Sequence, residues 1–142
     1  MAGQAVDALD VAVKALARRE LSAVELLERI ARAGFSPDEA TKAVDKLRDA
    51  GYQSDERAAQ ERARVLAERG LGNGAIRADL RRRGLSVDVE PVIAELPPEP
   101  ERAQALAERI GPGRRLVQTL QRKGYSEETI VAVAGADVAE AP

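Results

Sequence analysis

Three segments of the chain, ARAGFSPDE at 31–39, RRRGLSVDV at 81–89 and QRKGYSEET at 121–129, align without gaps. Gly34, Gly84 and Gly124 are each followed by an apolar residue (Phe35, Leu85, Tyr125) and a serine (Ser36, Ser86, Ser126). Four and eight positions before each glycine stand Ile30/Leu26, Leu80/Ile76 and Leu120/Leu116. An apolar pair at i and i+4 gives a helix one buried stripe. A glycine past its end supplies the left-handed residue that closes it. The serine then caps the next helix, with Asp38/Glu39, Asp88 and Glu127/Glu128 in its electropositive first turn. Each segment therefore predicts a helix–glycine–helix corner, and its threefold recurrence is an internal repeat.

A further helix precedes each corner. The expected helices cover about 5–19, 22–33 and 36–50, then 55–69, 73–83 and 86–95, then 99–110, 113–123 and 126–135. The LPPEP run at 96–100 reads as a linker, and the tail from 135 as frayed. The expectation is an all-α chain of three tandem three-helix repeats, 1–52, 53–96 and 97–142, in an elongated, curved array. Composition agrees with helices. Apolar residues make up 44% of the chain but aromatics only 2%, so Ala, Val and Leu must form the core.

The same composition narrows the chemistry. There is no cysteine and no histidine, which removes disulfides, thiolate nucleophiles and the commonest general base and metal ligand. No apolar run is long enough to cross a bilayer, and MAGQAVDALD lacks the basic and apolar parts of a signal peptide. A cytoplasmic protein without catalytic residues, cofactor or metal is expected. The run Gly70-Leu71-Gly72-Asn73-Gly74 is not a phosphate loop: no strand precedes it and no Lys-Ser/Thr follows. It reads as a helix–helix connection, with Gly72 or Asn73 near the cap. Paired acids such as Asp55/Glu56 sit at helix starts and suit the dipole.

Basic residues carry the functional signal. The formal net charge is −2, yet Arg69, Arg77, Arg81, Arg82 and Arg83 crowd around the single acid Asp79. From Arg109 to Lys123 there are five bases and no acid. Cations near a helix C-terminus serve the dipole, which accounts for one residue per helix. Arg114 and Arg115 stand at a helix start, where the dipole disfavours them. Arg77 and Arg81 lie one turn apart and have Val117 and Gln121 as their third-repeat counterparts. A basic contact surface is expected.

SDERAAQERARVLAERGLGNGAIRADLRRRGL at 54–85 resembles the RecX family of recombination regulators on Asp55, Glu56, Arg57, Ala58, Gly70, Gly72, Ile76, Arg77, Leu80, Arg83, Gly84 and Leu85. ALARRELSAVELLERIARAGF at 15–35 resembles the family's opening, and the likeness spans about 8–135. The chain departs from the pattern at Ala58-Ala59, where an aromatic is usual, and at Leu21, Asn73 and Asp79. The resemblance implies a monomeric, non-enzymatic protein that binds RecA and the RecA–DNA filament. It implies inhibition of recombinase, ATPase and coprotease activities, or promotion of filament disassembly, with no membrane and possible contact to DNA phosphate. The residues expected to meet RecA or DNA are Arg57, Arg69, Arg77, Arg81, Arg82, Arg83, Arg114, Arg115, Arg122 and Lys123. Two other readings stand beside it, a direct DNA-binding helical protein and a generic helical adaptor. Against base readout, the helices after the corners carry acidic or bland sequences such as PDEATKAVDKLRDA.

Overall fold

The computed structural model describes residues 6–85 and 87–138, with side chains to 135. Those residues form nine helices and no strand, as the periodicity predicts. In order they are α1 (Ala8–Arg18), α2 (Ala23–Arg32), α3 (Pro37–Asp49), α4 (Asp55–Glu68), α5 (Asn73–Arg82), α6 (Glu90–Ala94), α7 (Glu99–Ile110), α8 (Arg114–Arg122) and α9 (Glu127–Val138).

The helix starts have local causes. Asp7, Ser22 and Ser36 each accept a hydrogen bond from the third helical N–H, and Asp10, Glu25 and Glu39 reach back to the cap. Ser126 caps α9 by accepting from the Thr129 N–H at 3.1 Å. Between helices, Gly34, Gly84 and Gly124 take φ of +98°, +67° and +86°, the left-handed closure expected of them.

The sixth helix departs from expectation. It covers five residues rather than 86–95, and its cap residue Val89 makes no side-chain cap bond. Pro91 explains the late start. A proline ring inside a helix clashes with the carbonyl four residues back, here that of Val87, so the helix begins only where Pro91 falls in its first turn. The capping role expected of Ser86 lies outside the described residues. At the other end α9 continues to Val138 past the expected frayed point, with Ala134 at non-helical dihedrals of −128° and 31°. The rest of the tail, 139–142, lies outside the described residues.

The chain gathers into two compact units. The first comprises residues to Glu61 together with 82–87; the second comprises 62–81 and the chain from Asp88 on. In the first unit α1, α2 and α3 pack pairwise. Ala8, Ala12 and Ala15 lie against Leu21, Leu26, Ile30, Val44 and Leu47. In the second unit α7, α8 and α9 pack pairwise around Ala103, Leu106, Leu116, Val117, Leu120, Tyr125 and Ile130. Each fully buried Leu or Ile contributes about 1.5–3 kcal/mol. Alanines let the helices approach closely where few aromatics are present.

Candidate functional site

The residues around the corners are tied down by a joint that each unit builds in its own way. In the first unit the Ser22 hydroxyl donates to the Arg83 carbonyl oxygen at 2.8 Å, and the Arg83 guanidinium donates to Glu25 at 2.7 Å. The carboxylate of Asp55, first residue of α4, accepts from the Ala23 N–H at 2.8 Å. Gln53, almost fully buried, donates to the Leu21 carbonyl at 3.1 Å and to Asp55 at 3.0 Å.

In the second unit the Gly72 N–H donates to the Lys123 carbonyl at 2.9 Å and the Gly74 N–H to the Gly124 carbonyl at 3.1 Å. The Tyr125 hydroxyl donates to the Gly70 carbonyl at 2.8 Å. Glu99, first residue of α7 and only 6% exposed, accepts from the Asn73 N–H at 2.6 Å, the Ser126 hydroxyl at 2.8 Å, the Ser126 N–H at 3.2 Å and the Thr129 hydroxyl at 2.6 Å. Arg102 donates to the Asn73 side chain at 2.6 Å and to the Pro97 carbonyl at 2.9 Å. Burial pushes the Glu99 carboxyl upward, but the bonds from Thr129, Asn73 and Ser126 outweigh it and hold the group below the ordinary carboxylate value. Burial also raises the Tyr125 phenol, against the nearby charge of Arg102. So the Gly70–Gly74 run is a packed joint, met by the Lys123 and Gly124 carbonyls and by the side chains of Glu99, Arg102 and Tyr125.

With the joints in place, the expected contact residues separate into two groups. Arg57 donates to Glu20 at 3.1 Å and to the Gly51 carbonyl at 2.7 Å. Arg77 grips Glu90 with two bonds, 2.6 and 2.9 Å. The Arg77 hydrogen bond holds Glu90 below its ordinary value against burial, with the charges of Arg77 and Arg81 adding to it. Arg83 is committed to Glu25, and its backbone to Ser22. These three guanidiniums are occupied within their own units. Arg69, Arg81, Arg82, Arg114, Arg115 and Arg122 are exposed, and Lys123 is half-buried beside Gly70.

A RecX regulatory protein of Chromohalobacter salexigens is 40% identical over 129 residues, spanning 88% of this chain and 85% of that protein. The chain belongs to the RecX family. RecX of Acidithiobacillus ferrooxidans is 34% identical, over 92% of this chain and 90% of its own. The crystal structure of RecX from Lactobacillus salivarius superposes with a TM-score of 0.76 at 18% identity, over 89% of this chain and 91% of that one. A second RecX crystal structure gives 0.75 at 21%, over 89% and 70%. No family model matches the chain.

Sequence reasoning missed several residues of this RecX fold. Arg62 and Asp79 form a two-bond pair at 3.0 and 3.1 Å, with Asp79 buried. Seventeen residues of separation hid it, although Asp79 was the only acid amid five arginines. Glu90 drew no reading, and Glu99 was read as part of the LPPEP linker. An acid between two prolines, Pro98 and Pro100, at the first turn of a helix was the available signal for Glu99. Among the described residues no helix is long and apolar enough to cross a membrane, and no cluster of acids could hold a metal ion.

Proposed function

We propose that this RecX chain is a cytoplasmic, monomeric and non-enzymatic regulator that binds RecA and the RecA–DNA filament and restrains its recombinase, ATPase and coprotease activities. The supporting observation is the likeness to RecX regulatory proteins over nearly the whole length of both chains. On the same reading the chain divides into three-helix repeats at 1–52, 53–96 and 97–142. The contact surface is formed by the arginines that carry no internal structural duty. Arg69, Arg81, Arg115 and Arg122 are exposed and free to meet phosphate or an acidic protein face. Arg82, Arg114 and Lys123 adjoin them in the sequence. Arg57, Arg77 and Arg83 serve mainly to position neighbouring backbone.

The test is strand exchange and ATP hydrolysis by RecA with substoichiometric amounts of this protein. Inhibition of both is expected, together with co-sedimentation with filaments; absence of all three refutes the reading. Direct DNA binding is favoured by the same exposed arginines. It would appear as binding to naked DNA that weakens steeply with salt.

A further inference from the structure

On α1 the most deeply buried side chains are alanines, while the larger Leu9, Val11 and Leu16 pack against the core with only part of their surface. Ala8, Ala12 and Ala15 are buried, whereas Leu9 and Leu16 are half-buried and Val13 is 49% exposed. The parts of Leu9, Leu16 and Val13 left open are apolar area whose burial is unrealised, since fully burying a Val or Leu is worth about 1.5–3 kcal/mol. With Leu47 near the end of α3 and Tyr52 beyond it, Leu9, Val13 and Leu16 line an open cavity of about 730 Å³ within the first unit. That volume falls within the range of about 300–1,000 Å³ that binding pockets span. Tyr52 is 68% exposed, while Tyr125 is buried and Phe35 partly so. An exposed tyrosine beside an apolar groove is the residue type that anchors protein interfaces.

The rim supplies the charge. Arg57 and Glu20 stand there as an ion pair at 3.1 Å. Lys46 stands there too, exposed, and makes no ion pair or side-chain hydrogen bond among the described residues. Two cations against one acid leave the rim positive, with Lys46 uncommitted.

We propose that this groove seats a large apolar side chain of a partner protein, with a carboxylate beside it engaging Lys46. The identity of the partner rests on the RecA reading, in which a filament protomer supplies the segment. The groove then contributes an apolar contact that persists at high salt. The exposed arginines contribute a charged one that salt screens.

The test is co-sedimentation of the full chain with RecA filaments on single-stranded DNA at low and high salt, with helicity checked by circular dichroism. Val13→Glu and Tyr52→Ala, both at exposed positions, are expected to weaken binding about tenfold or more, as loss of an anchor does. The loss should be most evident at high salt. Lys46→Glu weakens binding as well, and Lys46→Arg retains it. Folded Val13→Glu and Tyr52→Ala chains that bind like the parent overturn the proposal. So does Lys46→Glu that binds more tightly, because the occupant is then basic. A parent chain that self-associates through the groove, with Val13→Glu becoming monomeric at unchanged filament affinity, assigns the groove to a second copy and also overturns it. If the parent chain fails to sediment with filaments, the RecA reading itself fails and this proposal with it. An effect missing only in the groove variants removes the groove alone.

Discussion

Replacing Gly72 with alanine tests the joint of the second unit. Gly72 does not need a left-handed conformation, so backbone strain is not at issue. An added Cβ would lie 2.5 Å from both the Cα and N of Tyr125 and 2.6 Å from the Gly124 carbonyl carbon. All three are backbone atoms, so no side chain can swing away, and the start of α5 must separate from the α8–α9 corner. Overpacking of this kind costs about 1–3 kcal/mol. Separation also loosens the bonds from the Gly72 and Gly74 N–H groups to the Lys123 and Gly124 carbonyls, each worth about 1 kcal/mol. Gly72→Ala should therefore destabilise by about 3–5 kcal/mol in all. The control is Gly111→Ala, with φ of +84° and nothing within 4 Å of the new methyl. That variant carries conformational strain alone, about 1–3 kcal/mol, because ψ of 167° at that φ is a region only glycine readily adopts. The assay is urea denaturation followed by far-ultraviolet circular dichroism. A Gly72→Ala loss no larger than the Gly111→Ala loss would refute the steric argument.

Other expectations use the same chain. The Glu99 carboxyl is held below its unfolded value of about 4.5, so its contribution is present above that pH and disappears as pH falls through the lower folded value. Glu99→Gln should cost about 2–3 kcal/mol at neutral pH, because an amide turns an N–H donor toward other donors. It should also flatten the acid limb of a urea-midpoint series; an unchanged acid limb would place the titration elsewhere. In a Tyr52→Phe chain the remaining phenol, Tyr125, should ionise above the ordinary 10.0 in an absorbance titration. Its stabilising effect, full below 10.0, should fall as pH rises further. Reversing Arg69, Arg81, Arg115 and Arg122 to glutamate should weaken filament binding and reduce its salt dependence without loss of helicity. Reversing Arg77 alone should act mainly on stability, by setting a charge of the wrong sign against Glu90. Equal binding defects in the two variants would merge the groups.

What the sequence made legible was mostly local. Gly34, Ser36, Gly124 and Ser126 specify turns through their own backbone and hydroxyl chemistry, so the helix ends around them could be placed. Helix α6 was overextended because Pro91 was not weighed against the carbonyl of Val87, a local cue overlooked. The remaining misses were not local. Arg77 with Glu90 and Arg62 with Asp79 are pairs across helices, so the arginine cluster looked freer than it is. The groove escaped for a different reason. Apolar residues occur nearly all round α1, at 8, 9, 11, 12, 13, 15, 16 and 17, and periodicity alone does not say which of them face the core.

The two joints show why one repeated corner tolerates different residues. At corresponding places, twelve residues before Gly34 and before Gly84, stand Ser22 and Gly72. Ser22 spans the gap to the Arg83 carbonyl with its hydroxyl, so the two backbones can stay apart. Gly72 has no side chain to offer, and its own N–H must reach the Lys123 carbonyl. The backbones then come closer. A methyl on Gly84 would meet first the side chain of Val24, at 3.0 Å, whereas one on Gly124 would meet Ala75 at 2.6 Å and its backbone N at 2.7 Å. Exchanging the hydroxyl for a bare N–H thus requires glycine on both faces of the second joint. The acid that closes each joint, Asp55 in one and Glu99 in the other, accepts the N–H of the residue after that position, Ala23 or Asn73. The common geometry lies in which backbone groups meet, and the side chains differ according to how far apart each joint leaves them.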